Sequence, residues 1–255
     1  MKSAMKKNIR IGMIVPSSNI TMEKEIPQAI NSNHFESKPL ITYHSARVGL
    51  KNVSREELKQ MNLSAVGAAE SLADASVDII LYACLVAVMV EGKGAHNISE
   101  KALREGASSE DKEIPVVTSA GALVQTLRDI NVQKVAVIAP YLPSLTETVC
   151  GYIEDEGVQV IHSHSLAVTN NLQVGELDQN QLIAIASSMP EEAEAVVLSA
   201  CVQMPSLDVL AKTEELLGKP VISAATATVY QAMKTLGMPL NMNTYGKLLS
   251  GKLEI

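Results

Sequence analysis

Short apolar runs rich in Val and Ile recur along the chain, separated by stretches whose apolar residues have helical spacing. Such alternation predicts βα units built around parallel sheets. Strands are predicted over residues 9–15, 40–46, 78–83 and 115–118 in the first half, and over 134–139, 158–162, 195–200 and 220–223 in the second. The two sets agree in order and spacing. Arg10-Ile-Gly-Met-Ile-Val-Pro16 resembles Lys134-Val-Ala-Val-Ile-Ala-Pro140, and Pro115-Val-Val-Thr-Ser-Ala120 resembles Pro220-Val-Ile-Ser-Ala-Ala225. Strands of unrelated α/β proteins also look alike, but four matches in register favour an internal duplication.

The expected fold is therefore α/β, with two similar parallel-sheet domains related by a pseudo-two-fold axis. One domain is expected to comprise residues 1–121 with a returning segment, 224–255. The other is expected to comprise 122–223, with the active site between them. Helices predicted over 122–129 and 226–236 are counterparts, placed to cross over onto the opposite half. Ser54-Arg-Glu-Glu57 reads as a capping box. Loops at 49–53 and 170–175 correspond to one another and are placed to close over a ligand.

Two of the strand patterns end in a thiol. Asp78-Ile-Ile-Leu-Tyr-Ala-Cys84 and Ala195-Val-Val-Leu-Ser-Ala-Cys201 are matched runs, and open α/β sheets bind ligands at the C-terminal ends of strands. A lone buried Cys is usually a small hydrophobe; the symmetry of this pair is what argues for chemistry. A helix predicted soon after Cys201 is expected to favour its thiolate. For Cys84 an ordinary helix further on makes that argument weaker. Cys150 has no counterpart and reads as core.

Pro16-Ser-Ser-Asn19 follows the first strand and opens a helix. The turn suits either an anion cradle or simple capping by Ser18 or Asn19. Pro140-Tyr141 holds the equivalent place in the second half, where a phenol is able to donate to a carboxylate. Asn170 and Asn171 are turn formers and amide donors. His162 and His164 share one face of a strand edge without a third ligand at metal spacing. His34, His44 and His96 stand alone, and Glu91, Lys93 and His96 read as solvated.

Composition narrows the field. The chain has 255 residues, 47% of them hydrophobic, enough for a large core in one domain or two. Aromatic residues make up only 3%, so the core is aliphatic and a ligand held by stacking is disfavoured. A net charge of −7 argues against nucleic acid as a partner. The longest apolar run, residues 79–90, is too short to span a bilayer, and residues 1–7 lead into no apolar signal segment. Three cysteines without a CxxC fit neither a disulfide framework nor a zinc knuckle, and free thiols fit a reducing cytoplasm. Walker A, GxGxxG, GxSxG and HExxH motifs are all absent.

Val15-Pro-Ser-Ser-Asn19-Ile-Thr-Met-Glu23, Tyr82-Ala-Cys84 and Leu198-Ser-Ala-Cys201-Val-Gln-Met-Pro-Ser206 together resemble the maleate cis-trans isomerases of the aspartate/glutamate racemase superfamily. The arylmalonate decarboxylases of that group keep only the second Cys, so Cys84 counts against them. The resemblance implies cofactor-independent conversion of maleate to fumarate by a cytoplasmic homodimer, and nicotinate breakdown fits the family. It implies Cys84 as nucleophile and Cys201 as the thiol that handles the proton, with no metal. Asn19, Tyr141 and Asn171 would hold the carboxylates, with Ser17, Leu85, Val86 and Val202 as further substrate contacts. Two other readings stay open: an amino-acid racemase using both thiols, and a non-catalytic protein that binds a small acid.

Overall fold

The inner strands are apolar on both faces because helices cover both sides of each sheet. The computed structural model describes residues 8–108 and 113–253; residues 1–7, where no signal segment was read, lie outside the described residues. The first sheet contains β1 (Asn8–Pro16), β2 (Leu40–Val48), β3 (Ile79–Tyr82) and β4 (Val116–Thr118), in the order β2-β1-β3-β4. The second contains β5 (Lys134–Ala139), β6 (Gln159–Ser165), β7 (Ala195–Ser199) and β8 (Val221–Ser223), in the order β6-β5-β7-β8. Every pairing is parallel. Each strand of one half thus has its counterpart in the other, as the duplication required.

Helices of the first half are α1 (Met22–Asn31), α2 (Arg55–Asp74), α3 (Leu85–Met89), α4 (Ala95–Ala107) and α5 (Ser119–Asp129). Those of the second are α6 (Pro143–Asp155), α7 (Asn171–Gly175), α8 (Asn180–Ser187), α9 (Leu207–Leu217), α10 (Ala224–Thr235) and α11 (Lys247–Ser250). The apolar run 79–90 is a strand followed directly by a helix, split at Ala83 and Cys84. Among the described residues no helix is long and apolar enough to cross a membrane.

Local capping repeats with the fold. Thr118 ends β4 and caps α5 by accepting from the Gly121 N–H. Ser223 ends β8 and caps α10 in a capping box with Thr226. These hydroxyls start both helices a few residues earlier than apolar periodicity suggests. The equivalent helices α5 and α10 pack on one another, α10 also rests on α1, and α5 rests on α3, α4 and β4. The Ser54 site is only half a capping box. Ser54 accepts from the Glu57 N–H, but the Glu57 carboxylate reaches past it to the N–H groups of Lys51 and Asn52 and to the Asn52 amide. Glu57 therefore ties down the 49–53 loop.

His96 departs from its expected solvation. It is buried, with Nδ1 2.6 Å from the Tyr152 hydroxyl and 4.0 Å from the Glu156 carboxylate. Both partners lie in the second half, near the end of α6, and sequence periodicity within the first half carries no trace of them.

A second buried group joins the halves from the other side. Glu25 of α1 accepts through Oε1 from the N–H groups of Ser206 and Leu207, which open α9. Its Oε2 is buried without a hydrogen-bond partner. Burial pushes the Glu25 carboxyl up from 4.5 to about 7, against the two N–H donors; Asp208 adds to the rise and Lys24 opposes it. Between those pH values the native state keeps a proton that the unfolded chain has lost. The contribution of Glu25 to stability is therefore full below pH 4.5 and declines as pH rises to 7. Glu25→Gln keeps the acceptor and cannot ionise. Its stability relative to wild type is expected to climb by about 2–3 kcal/mol across this window, at roughly 1.4 kcal/mol per unit. Urea midpoints at pH 5 and pH 7.5 measure it, and a constant gap between the two proteins would disprove it.

Candidate active site

Both thiols are delivered by the same backbone device. The Ala83 N–H donates to the Ile14 carbonyl at 3.1 Å, pinning the end of β3 to β1. In the second half the Ala200 N–H donates to the Ile138 carbonyl at 2.9 Å, pinning the end of β7 to β5. Cys84 and Cys201 come next in each chain segment. In each sheet the neighbours of the first strand lie on opposite sides of it, and such a switch point is where open sheets bind ligands. The two switch points face one another.

Between them lies a narrow cavity of about 20 Å³, room for about one water. Cys84, Cys201, Asn19, Tyr141, Asn171, Leu85, Val86 and Val202 all line it. No Lys or Arg does. Ser17 is not part of the lining. It is exposed, and its hydroxyl is occupied with the N–H and carbonyl of Leu50. A larger groove of about 410 Å³ between α2 and α4 is mostly aliphatic and holds no thiol.

Each polar group has a defined role in the closed cavity. Asn19 Oδ1 accepts from the N–H groups of Thr21 and Met22, both at 2.9 Å. That fixes the amide orientation and leaves Nδ2 as the donor to the cavity. Asn19 thus ties down the turn that leads into α1. Tyr141 is fully buried, and its hydroxyl donates to the Ala200 carbonyl at 3.2 Å. Asn171 is buried, and its Nδ2 donates to Ser18 Oγ at 2.8 Å. Asn170 is exposed and spends its side chain capping α7.

The electrostatics overturn one expectation from the sequence. Burial pushes the Cys201 thiol above its ordinary value, although the Tyr141 hydroxyl and the N–H groups of Gln203 and Met204 pull the other way. The helix expected to help, α9, starts only at Leu207, beyond the turn that follows the cysteine. Cys84 behaves similarly: burial pushes it up to about 12, the Ala87 N–H opposes this, and nearby Cys201 adds to it. Here too the helix is not where the sequence suggested, because α3 begins at the very next residue. Dry surroundings outweigh the N–H donors at both thiols, so both rest protonated.

Gln203 was not singled out from the sequence. Its side chain is buried between the halves, where Oε1 accepts from the Ile20 N–H at 2.9 Å. Nε2 donates to the carbonyls of Ser18 at 3.0 Å and Asn171 at 2.7 Å. The two loops also meet through an antiparallel bridge between Asn52 and Asn170. Leu50 and Val53 from the first loop and Asn171 from the second complete the roof.

A family model described as arylmalonate decarboxylase matches residues 11–249. The maleate isomerase of Geobacillus stearothermophilus is 46% identical over 250 residues, 97% of this chain and 100% of that protein. A crystal structure of the maleate isomerase from Pseudomonas putida S16, a Cys→Ala variant with maleate, superposes with a TM-score of 0.94 at 42% identity, covering 97% of this chain and 100% of that one. The Nocardia farcinica maleate cis-trans isomerase, as a Cys→Ser variant with a covalently bound succinylcysteine intermediate, gives a TM-score of 0.91 at 40% identity, covering 96% and 99%. Likeness of this extent, at the level of both sequence and fold, shows that the chain belongs to the maleate isomerase family, within the reach of the arylmalonate decarboxylase model.

Proposed function

We propose that this chain converts maleate to fumarate without a cofactor, adding one thiol across the double bond and expelling it after rotation. The observation that carries this reading is the pair of buried cysteines facing one closed cavity from matched strand ends. The covalent succinylcysteine in the Nocardia relative supports it, because a succinyl group is maleate with a sulfur on one olefinic carbon and a hydrogen on the other. In this reading the cleft runs between a first unit, residues 1–121 with 224–255, and a second, 122–223.

Rotation about C=C is blocked while the double bond lasts. The Cys84 proton passes to the nearer carboxylate of the substrate as its sulfur bonds to C2, which sends the π electrons towards C3 and the other carboxylate. Cys201 then delivers its proton to C3, leaving a succinyl group on Cys84 and a thiolate on Cys201. C2–C3 is now single and turns, driven by repulsion between the two carboxylates. Cys201 takes the proton back from C3, the double bond re-forms as trans, and the sulfur of Cys84 leaves, recovering its proton from the carboxylate that held it. Each proton and electron pair returns to its origin.

The enediolate-like charge formed by addition falls among neutral donors. Asn19 Nδ2, the Tyr141 hydroxyl and the Asn171 amide are placed to serve the carboxylates, and one such donor is worth about 3 kcal/mol to the transition state. Asn171 exchanges Ser18 for substrate when it does so. Neutral donors hold a dianion without locking it, which leaves the second carboxylate free to swing. The cavity must also open, because it now has room for about one water. Opening breaks the Asn52–Asn170 bridge and the Gln203 contacts between the loops.

Two measurements test this account. In the first, purified protein is incubated with maleate and the vinyl protons are followed by NMR. Wild type is expected to form fumarate, Cys84→Ser to lose at least about a thousandfold in rate, and Cys201→Ser to accumulate an adduct on Cys84 visible by intact mass. Maleate left unchanged by wild type under reducing conditions sinks the reading, and deuterium uptake at the α-carbon of aspartate then tests the racemase alternative. In the second, the pH profile of alkylation by iodoacetamide is mapped at Cys84 by peptide mass. The rate is expected to keep rising beyond pH 9, since burial pushes the thiol up to about 12; a plateau below pH 8 would show a resting thiolate.

A further inference from the structure

Beside the catalytic cavity lies a second cavity of about 200 Å³. Only Val53 and Tyr141 line both. The outer walls of the second cavity include the aliphatic side chains of Leu142, Leu145 and Val168. Among the described residues its only polar lining residues are Ser144, Thr169 and the shared Tyr141, with no cation, so it suits an alkyl group and not a carboxylate.

The two shared residues differ in how firmly they stand. Tyr141 is fully buried and is tied at both ends, its hydroxyl to the Ala200 carbonyl and its own carbonyl to the Ala167 N–H. Val53 is half-buried and belongs to the roof loop. Its backbone neighbours are held by the Glu57 carboxylate before it and by the Ser54 cap after it. Shortening its side chain therefore removes wall without releasing the loop.

We propose that Val53 sets the substrate range of this site. It walls the catalytic cavity off from a preformed apolar subsite, and shortening it admits 2-alkylmaleates, whose alkyl group lodges among Leu142, Leu145 and Val168. The inference rests on the isomerase reading and extends it. The space that shares the Val53 wall with the catalytic cavity is large enough for a methyl on the olefinic carbon. Removing the two Val53 methyls joins the two, so no repacking is needed. The reaction itself is unchanged, because C2 and C3 remain the carbons that take sulfur and hydrogen.

The test compares kcat/KM for 2-methylmaleate with that for maleate in wild type, Val53→Ala, Val53→Gly and the double variant Val53→Ala with Val168→Phe. One methyl-sized group in an apolar pocket typically changes discrimination about 10–200-fold. The ratio of 2-methylmaleate to maleate is expected to rise at least about tenfold in both single variants, within that range. Adding Val168→Phe, which fills the subsite, is expected to return it to the wild-type value. An unchanged ratio in both single variants, with maleate still turned over, overturns the inference. So does a gain that survives Val168→Phe, since the new room would then lie elsewhere. Failure of wild type to isomerise maleate is a separate outcome: it overturns the isomerase reading and this inference with it.

Discussion

The Gln203 side chain, buried between the two halves, is the contact on which the closed site depends. One amide satisfies the N–H of Ile20 and the carbonyls of Ser18 and Asn171. These three groups come from the turn that carries Asn19 and from the loop that carries Asn171. An apolar side chain of similar size would take this partner from all three, and a group left unpaired away from water costs about 1–3 kcal/mol; the bond to the Asn171 carbonyl is the fully buried one. Gln203 also lies two residues beyond Cys201, and its own N–H faces that sulfur. The same residue thus sets the distance between the halves and the surroundings of one thiol.

Closure makes the cavity dry, and dryness acts on the thiols in two ways. It disfavours the thiolate, which is why Cys84 is pushed up to about 12 and Cys201 rises as well. In the proposed reaction it also strengthens the attraction between the charge that builds during addition and Asn19, Tyr141 and Asn171, which line the cavity. A cation in the lining would favour a resting thiolate, and it would also grip a dianionic substrate. Among the described residues, no Lys or Arg lines the cavity. Arg47 stops behind the first turn, bonding the carbonyls of Ser17 and Asn19 and the Glu23 carboxylate.

Duplication explains how two thiols come to face each other at all. A single sheet presents one strand end at its switch point. Two copies related by a pseudo-two-fold axis present the same strand end twice, pointing inward. The matched bonds at Ala83 and Ala200 and the matched caps at Thr118 and Ser223 show how far the repetition extends into local detail. It fails where the halves have specialised. Tyr141 stands where the first half has Ser17, and Gln203 meets Ile20 with no reciprocal contact.

The sequence by itself determined the eight strands, the duplication and the strand ends that carry Cys84 and Cys201, because period and burial are written locally in the Val- and Ile-rich runs. It also placed Asn19 and Tyr141 at matched turns, since a turn follows wherever a strand stops. It had His96 in solvent, favoured a thiolate at Cys201 and separated Cys84 from its helix. Those outcomes were decided only by the tertiary structure. Burial, desolvation and the partners of a side chain depend on atoms distant along the chain, as Tyr152 is from His96 and Ser18 from Asn171. The same holds for Gln203 and Val53, whose roles arise only when one half closes on the other.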